Sequence, residues 1–290
     1  MRVAVTGATG TIGSAVVSAL RGRGDEVTEL SRRTNWPAPS EEPAPVDALS
    51  GRDAVVNLLG ERIAQRWSDN AKVEIRNSRI LGTRNLVAGL RAVPQAERPK
   101  VLVSQSGVGF YGARGDEPIS EDAPAGGDYL SHVVMDWEAE ARAAEELGVR
   151  VVLTRTGVVL SPSGALQKML PFFKAGIGGP VAGGRQYMPW IHLDDVVGAI
   201  LFALDTPALS GPVNVTAPDP PTNKEFSRAL GRVLHRPALA PVPALALKAL
   251  YGEMAMIVTT GQRAVPTRLT ELGYAFKRPE LEAALREATS

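Results

Sequence analysis

Within two residues of its start the chain enters an apolar run, Val3-Ala4-Val5, and this run passes at once into Gly7-Ala8-Thr9-Gly10-Thr11-Ile12-Gly13. No other segment limits the fold as much. An apolar helical pattern from Ile12 to Leu20 follows, and then a second strand pattern from Glu26 to Leu30. A glycine triplet between a buried strand and a helix, inside a strand–helix–strand unit, meets the conditions of a dinucleotide-binding turn. The first glycine permits the tight turn, the second lets backbone N–H groups approach a pyrophosphate, and the third lets helix and sheet pack closely. The helix N-terminus adds partial positive charge. Gly7, Thr9, Gly10, Thr11, Ile12 and Gly13 are therefore expected to bind the cofactor.

The same grammar continues. Ala54 to Leu59, Val101 to Ser104 and Val149 to Thr154 read as strands, while Asn70 to Leu90 and Val133 to Glu146 read as helices. Such alternation predicts an α/β fold, a Rossmann-like doubly wound parallel sheet covered on both faces. Pro37, Pro39, Pro43 and Pro45 make residues 34–46 an extended surface loop. Beyond residue 155 glycine and proline cluster, and Thr222 with Glu225 has capping-box spacing. The expected organisation is a Rossmann domain over residues 1–240, with substrate-region insertions about 161–190 and from 217. A small, mainly helical C-terminal segment then follows over residues 241–290.

Composition removes several classes of function. There is no cysteine, which excludes disulfides, thiolate nucleophiles and cysteine-held zinc and is compatible with a reducing cytoplasm, the expected location. Thirty-two Lys and Arg against 31 Asp and Glu give a net charge of +1, too little for a broad field toward nucleic acid or anionic lipid. Aromatic residues are 5% of the chain, which disfavours an RNA-stacking surface. The longest apolar run, Val196 to Leu204, is far short of a membrane span. No signal-peptide pattern precedes the first strand. His192, Asp194 and Asp195 read as a strand–helix junction with either aspartate capping the helix, so no metal is expected. The expected partner is a small-molecule substrate, with no nucleic acid or membrane; a homodimer stays open.

The end of the second strand selects the dinucleotide. An NAD site places an acid there for the ribose hydroxyls. Here the segment reads Glu29-Leu30-Ser31-Arg32-Arg33, with Glu29 inside the strand and Ser31 at its end. Guanidinium groups at Arg32 and Arg33 suit a 2′-phosphate, so the expected cofactor is NADP(H).

Several segments together resemble the extended short-chain dehydrogenase/reductase superfamily. They are Val5 to Gly13, Val55-Val56-Asn57-Leu58-Leu59-Gly60, Ser104-Gln105-Ser106 with Tyr111-Gly112, and Pro189 to Val196. Arg66-Trp67, Ser78 to Thr83, Val108 to Gly112, Arg155 to Leu160 and Met188 to His192 resemble one atypical subgroup, labelled epimerase family protein. Its members are described as NAD(P)-dependent nucleotide-sugar epimerases. Residues 241–288 resemble that subgroup's C-terminal domain of unknown function. The resemblance implies cofactor contacts at Leu58, Leu59, Gly60 and Ser104, and a substrate-orienting serine at Ser106.

The superfamily's chemistry also rests on a tyrosine with a lysine four residues later. Four residues after Tyr111, Tyr129, Tyr187, Tyr251 and Tyr274 stand Gly115, Val133, Ile191, Ala255 and Arg278. None is lysine. An unassisted phenol has a pKa of about 10, so roughly one in a thousand is ionised at neutral pH. Turnover would need a non-standard donor, and Tyr129, His132 or a water are the candidates beside Ser106. Each also has a plain reading as a packed aromatic, an exposed helix residue or a strand-end hydroxyl. Arg185 and Trp190 are candidate substrate contacts. Two functions compete: an NADP(H)-dependent oxidoreductase or epimerase-like enzyme acting on a small carbonyl or sugar-nucleotide-like substrate, and a catalytically silent NADPH-binding sensor or scaffold.

Overall fold

The computed structural model describes residues 1–32, 35–37 and 39–290. Strand β1 (Arg2–Thr6) is followed by α1 (Thr11–Gly22), β2 (Glu26–Leu30), α2 (Val46–Leu49), β3 (Ala54–Asn57), α3 (Asp69–Ala92) and β4 (Val101–Gly107). A short strand β5 (Pro118–Ile119) leads to α4 (Tyr129–Arg142), β6 (Arg150–Thr156), β7 (Val158–Leu160), α5 (Ala165–Lys174), β8 (Trp190–His192), α6 (Leu193–Asp205) and β9 (Gly211–Val215). The rest comprises α7 (Asn223–Val233), α8 (Ala244–Tyr251), α9 (Met256–Thr259), β10 (Arg263–Ala264), α10 (Thr267–Glu271) and α11 (Leu281–Ala288).

Period-two alternation builds the sheet. Val3 and Val5, Val56, Val103 and Val152 pack with α1 and α6 in one core; Ala4, Val55, Leu102, Val151 and Leu153 pack against α3 and α4 in the other. Because both faces are covered, the strands carry branched apolar residues on both sides. Six strands lie parallel in the order β2-β1-β3-β4-β6-β9, so the winding reverses between β1 and β3. The carboxyl ends of strands at such a reversal leave a crevice where ligands of this architecture bind.

The expected α/β architecture is the observed one, with local differences. Helix α4 begins at Tyr129, four residues before the expected Val133, because the Asp128 carboxylate accepts the Ser131 N–H at 2.9 Å and caps it. The proline-rich loop is pinned rather than purely superficial: Trp36 is buried in the core with Leu86 and Val87, and its Nε1 donates to the Glu42 carbonyl at 2.9 Å. The capping box forms as expected, with the Thr222 N–H donated to Glu225 at 2.8 Å at the start of α7. At α6 the cap is neither aspartate. The His192 side chain accepts the Asp194 N–H at 3.2 Å.

Asp195 does something else: it holds the C-terminal segment. Fully buried, its carboxylate accepts the Lys277 N–H at 2.7 Å, the Arg278 N–H at 2.8 Å and the Tyr274 hydroxyl at 3.1 Å. Burial and this anion push the Tyr274 phenol well up. Residues 241–290 are thereby laid along the Rossmann core: β10 pairs with β5, α10 packs on β9, and α11 packs with α7. Among the described residues no helix is long and apolar enough to cross a membrane.

Asp195→Ala leaves two backbone N–H groups without their acceptor and the Tyr274 hydroxyl with only the residue-195 carbonyl at 3.2 Å, at a cost of about 3 kcal/mol. The expected outcome is a Tm lower by roughly 6–12 °C together with faster proteolytic removal of the C-terminal segment, read by calorimetry and limited trypsinolysis.

Candidate functional site

The crevice at the β1/β3 reversal is shaped by glycine. Gly7 has φ +64°, and a Cβ there would overlap the Leu58 carbonyl at the end of β3. A Cβ on Gly13 would overlap the Gly7 carbonyl, so α1 can approach β1 only with glycine at that position. Gly10 is the N-cap of α1 and carries no side-chain cap, so the first-turn N–H groups stay open for an anion. These are the features a pyrophosphate needs. Thr9, Gly10 and Thr11 are exposed at the turn, with Ile12 half-buried behind them.

Two other segments border the turn. Thr11 Oγ1 lies 3.0 Å from Ser163 Oγ in the turn before α5, and Lys168 of α5 donates to the Ala64 carbonyl. Leu58 and Leu59 are half-buried and Gly60 is exposed where β3 runs out. Thr6 accepts the Leu58 N–H at 3.0 Å, which ties this edge to β1. Ser104, expected to touch cofactor, is fully buried below the edge. Its hydroxyl accepts from Asn57 Nδ2 at 3.0 Å and joins β3 to β4.

At the end of β2, Leu30 pairs with Thr6, so Ser31 and Arg32 emerge beside the glycine turn. Glu29 is engaged elsewhere, accepting from Arg21 of α1 at 2.8 Å. Arg33 lies outside the described residues.

Sequence reasoning missed Arg79. It is buried on α3, behind Gly60, and donates to the carbonyls of Ile75 (3.1 Å) and Glu61 (3.0 Å), with its guanidinium 5.2 Å from the Trp137 ring. Among the described residues no carboxylate lies within 4.0 Å of it, and burial pulls its pKa down to about 10. The signal was a charge inside the apolar stripe Ile75-Arg79-Ile80-Leu86.

Beneath the ends of β4 and β6 lies a buried polar network. Arg155 pairs bidentately with Glu138, both bonds being 2.8 Å. It also donates to Tyr111 Oη at 3.1 Å and stacks over the Phe110 ring at 3.4 Å. Tyr111 in turn donates to Asn214 Oδ1 at 2.7 Å, and Glu121 Oε1 accepts the Asn214 N–H at 3.0 Å and the Arg268 N–H at 3.2 Å. Ser106 belongs to this network. Its hydroxyl donates to Glu138 Oε1 at 2.6 Å and is buried, so its proton is committed to an internal carboxylate rather than offered at an open surface.

The remaining candidates are dispersed. Tyr129 stacks edge-on against Trp67 and donates its hydroxyl to the Lys72 carbonyl at 2.9 Å; burial raises its pKa, away from the phenolate a base requires. His132 is exposed. A carbonyl can only accept, so its Nδ1 donates to the Asp128 carbonyl at 2.8 Å. The face of α4 that meets the segment after β4 carries Leu130 and Val134 against Gly109. Two residues along a helix is a rotation of about 200°, which turns His132 away from that face. Trp190 is a correction: it is fully buried in the core of α7 and α11 and does not line an open pocket. Arg185 is exposed.

Fold and crevice define a protein of the Rossmann class. The chain belongs to the NAD dependent epimerase/dehydratase family, whose model matches residues 3–216, and a domain of unknown function, DUF1731, matches residues 242–288. It is 43% identical over 298 residues to epimerase family protein Mb2239 of Mycobacterium bovis, covering 99% of this chain and 97% of that protein. The crystal structure of human epimerase family protein SDR39U1 with NADPH superposes with a TM-score of 0.91 at 37% identity, over 100% of this chain and 99% of that one. A nucleoside-diphosphate sugar epimerase from Corynebacterium glutamicum superposes at 0.79 with 31% identity, over 100% of this chain and 58% of that one.

Glu121 gives the network a pH dependence. Its Oε2 is buried without a partner among the described residues, and burial raises its pKa. A raised carboxyl pKa means the folded state holds the proton more tightly, so this group's contribution is present below the ordinary carboxylate range and is lost as pH rises. Glu121→Gln mimics the protonated acid. The Tm difference between variant and parent is expected to widen in the variant's favour as pH rises from 5 to 8, read by calorimetry; a constant difference would show Glu121 ionised in the fold.

Proposed function

We propose that the chain binds NADP(H) in the β1/β3 crevice and acts as an oxidoreductase or epimerase-like protein toward a small carbonyl or sugar-nucleotide-like substrate. The observation carrying this reading is the triple-glycine cradle, in which Gly7 and Gly13 have no room for a Cβ and the α1 N-terminus lacks a side-chain cap. The NADPH in the human relative's crystal structure points the same way. NADPH, when bound, supplies a hydride from its nicotinamide. The turn at residues 7–13 would hold its pyrophosphate, Leu58 to Gly60 would border it, and Ser31 and Arg32, just past the end of β2, would meet a 2′-phosphate.

On the substrate side, Ser106 and Tyr129 are the groups nearest in kind to the missing couple. Using either means releasing a hydrogen bond it already makes, to Glu138 or to the Lys72 carbonyl. Those commitments favour one second reading, an NADPH-binding protein without turnover.

Isothermal titration with NADPH and NADH tests the cofactor, with NADPH expected to bind at least about tenfold tighter, equivalent to roughly 1.4 kcal/mol. Gly13→Val is expected to abolish binding. A carbonyl-compound screen for NADPH oxidation then separates the readings: oxidation supports the enzyme, and tight binding with no oxidation across the screen supports the silent protein. Equal affinities would remove the 2′-phosphate assignment.

A further inference from the structure

The DUF1731 segment crosses the carboxyl edge of the sheet and delivers an arginine there. Gln262 Nε2 donates to the Val108 carbonyl at 2.7 Å, immediately beyond β4. Thr216, immediately beyond β9, donates its hydroxyl to the Ala264 carbonyl at 3.2 Å, and the Val265 N–H donates to the Ile119 carbonyl at 3.0 Å. Gly261 is pressed so closely on the Tyr187 backbone that a Cβ would overlap the Tyr187 carbonyl. Residues 261–265 are thus fixed on both sides of Arg263.

Arg263 itself is half-buried, with its guanidinium 5.2 Å from the centre of the Tyr187 ring. Among the described residues its guanidinium makes no hydrogen bond or ion pair, and Nε is the nitrogen buried without a partner. Neighbouring arginines differ. Arg155 has Glu138, Arg114 donates to the carbonyls of Tyr111 and Pro124, and Arg268 donates to those of Ser210 and Pro212. Leaving a buried donor of a charged group unpaired is costly, so the buried Nε–H of this positioned guanidinium favours an acceptor from outside the chain.

We propose that Arg263, backed by Tyr187, is an oxyanion-binding residue of the substrate site, taking a carboxylate or phosphate group of the small-molecule ligand. The planar fork of a guanidinium matches either group bidentately, and the aromatic ring flanks it. The role of the C-terminal domain is then to place this charge on the ligand-binding edge of the sheet. The inference rests on the cofactor reading only in placing the substrate at that edge.

The test uses the full-length protein saturated with NADPH, so that the glycine turn is already filled. Malonate and inorganic phosphate are titrated separately while the Arg263 Nε–H resonance, assigned from its absence in Arg263→Gln, is followed by ¹H–¹⁵N NMR. The expected result is a saturable shift with at least one probe, and which probe acts identifies the group. Arg263→Gln should weaken that probe at least about tenfold while NADPH affinity stays within twofold and Tm within about 2 °C. Arg263→Lys keeps the charge without the fork and should fall between. No shift with either probe, or equal probe affinity in Arg263→Gln, overturns the proposal. Failure of NADPH to bind would instead remove the cofactor reading, and the residue-specific shift would still decide this one in the apo protein.

Discussion

The bidentate Arg155–Glu138 pair is the contact on which the rest of the sheet's ligand-binding edge depends. It joins β6 to α4, and through Tyr111, Asn214 and Glu121 it reaches β9 and the backbone of Arg268 in the C-terminal segment. Burying two charges is expensive, and the mutual attraction repays the cost only if the remaining donors are met. Here they are: Arg155 also donates to Tyr111 and to the Glu121 carbonyl at 3.0 Å, and Glu138 also accepts from Ser106. Removing one partner of such a pair leaves an uncompensated interior charge, typically 3–5 kcal/mol worse than the intact pair. The price of that satisfaction falls on Ser106, whose hydroxyl completes the shell of Glu138 and is thereby withdrawn from the surface.

This network and the Asp195 latch explain why the C-terminal segment is bound so firmly to the core. A carboxylate accepting two backbone N–H groups fixes main chain and not merely a side chain, so Lys277 and Arg278 are held in position whatever their own side chains do. Asp195 also sits in the first turn of α6, where the helix dipole stabilises its charge. Helix α8, by contrast, has no buried residue; its Ala249 and Leu250 carbonyls accept from Arg66 at 3.1 and 3.2 Å, and Tyr251 packs against the Trp67 and Ile75 cluster. Firm attachment therefore belongs to residues 261–290, the part that crosses the sheet edge.

How much of this could be read from sequence follows from the range of each interaction. The glycine turn was legible because its constraint is local: positive φ at Gly7 and close approach at Gly13 depend on atoms a few residues or one strand away. The strands were legible through alternation, and the capping box through its fixed spacing. The start of α4 was missed because Asp128 acts at one position with no periodic signature. Trp190 was misplaced because a tryptophan beside a glycine-rich loop looks the same in sequence whether it lines a pocket or fills a core. Least legible were the charges. Arg79, Glu138 and Arg155 each interrupt an apolar pattern, which marks them as buried, but Glu138 and Arg155 find each other across two elements while Arg79 has only carbonyls, one of them in its own helix. Whether a buried charge is paired is decided only by tertiary structure.

That distinction separates two kinds of arginine in this molecule. Arg155 has its countercharge inside the fold, and nothing further need be asked of it. Arg79 and Arg263 do not, among the described residues: Arg79 lies behind Gly60 at the crevice, and Arg263 lies against Tyr187 in the segment tied beyond β4 and β9. Arg79 is partly served by two carbonyls and an aromatic ring, which soften its burial without neutralising it, as the downward pull on its pKa indicates. Arg263 is served by a ring alone. A fold that satisfies one interior guanidinium with a carboxylate and a tyrosine, yet leaves the Nε of another without an acceptor among the described residues, has placed the second where its counterion comes from outside the chain.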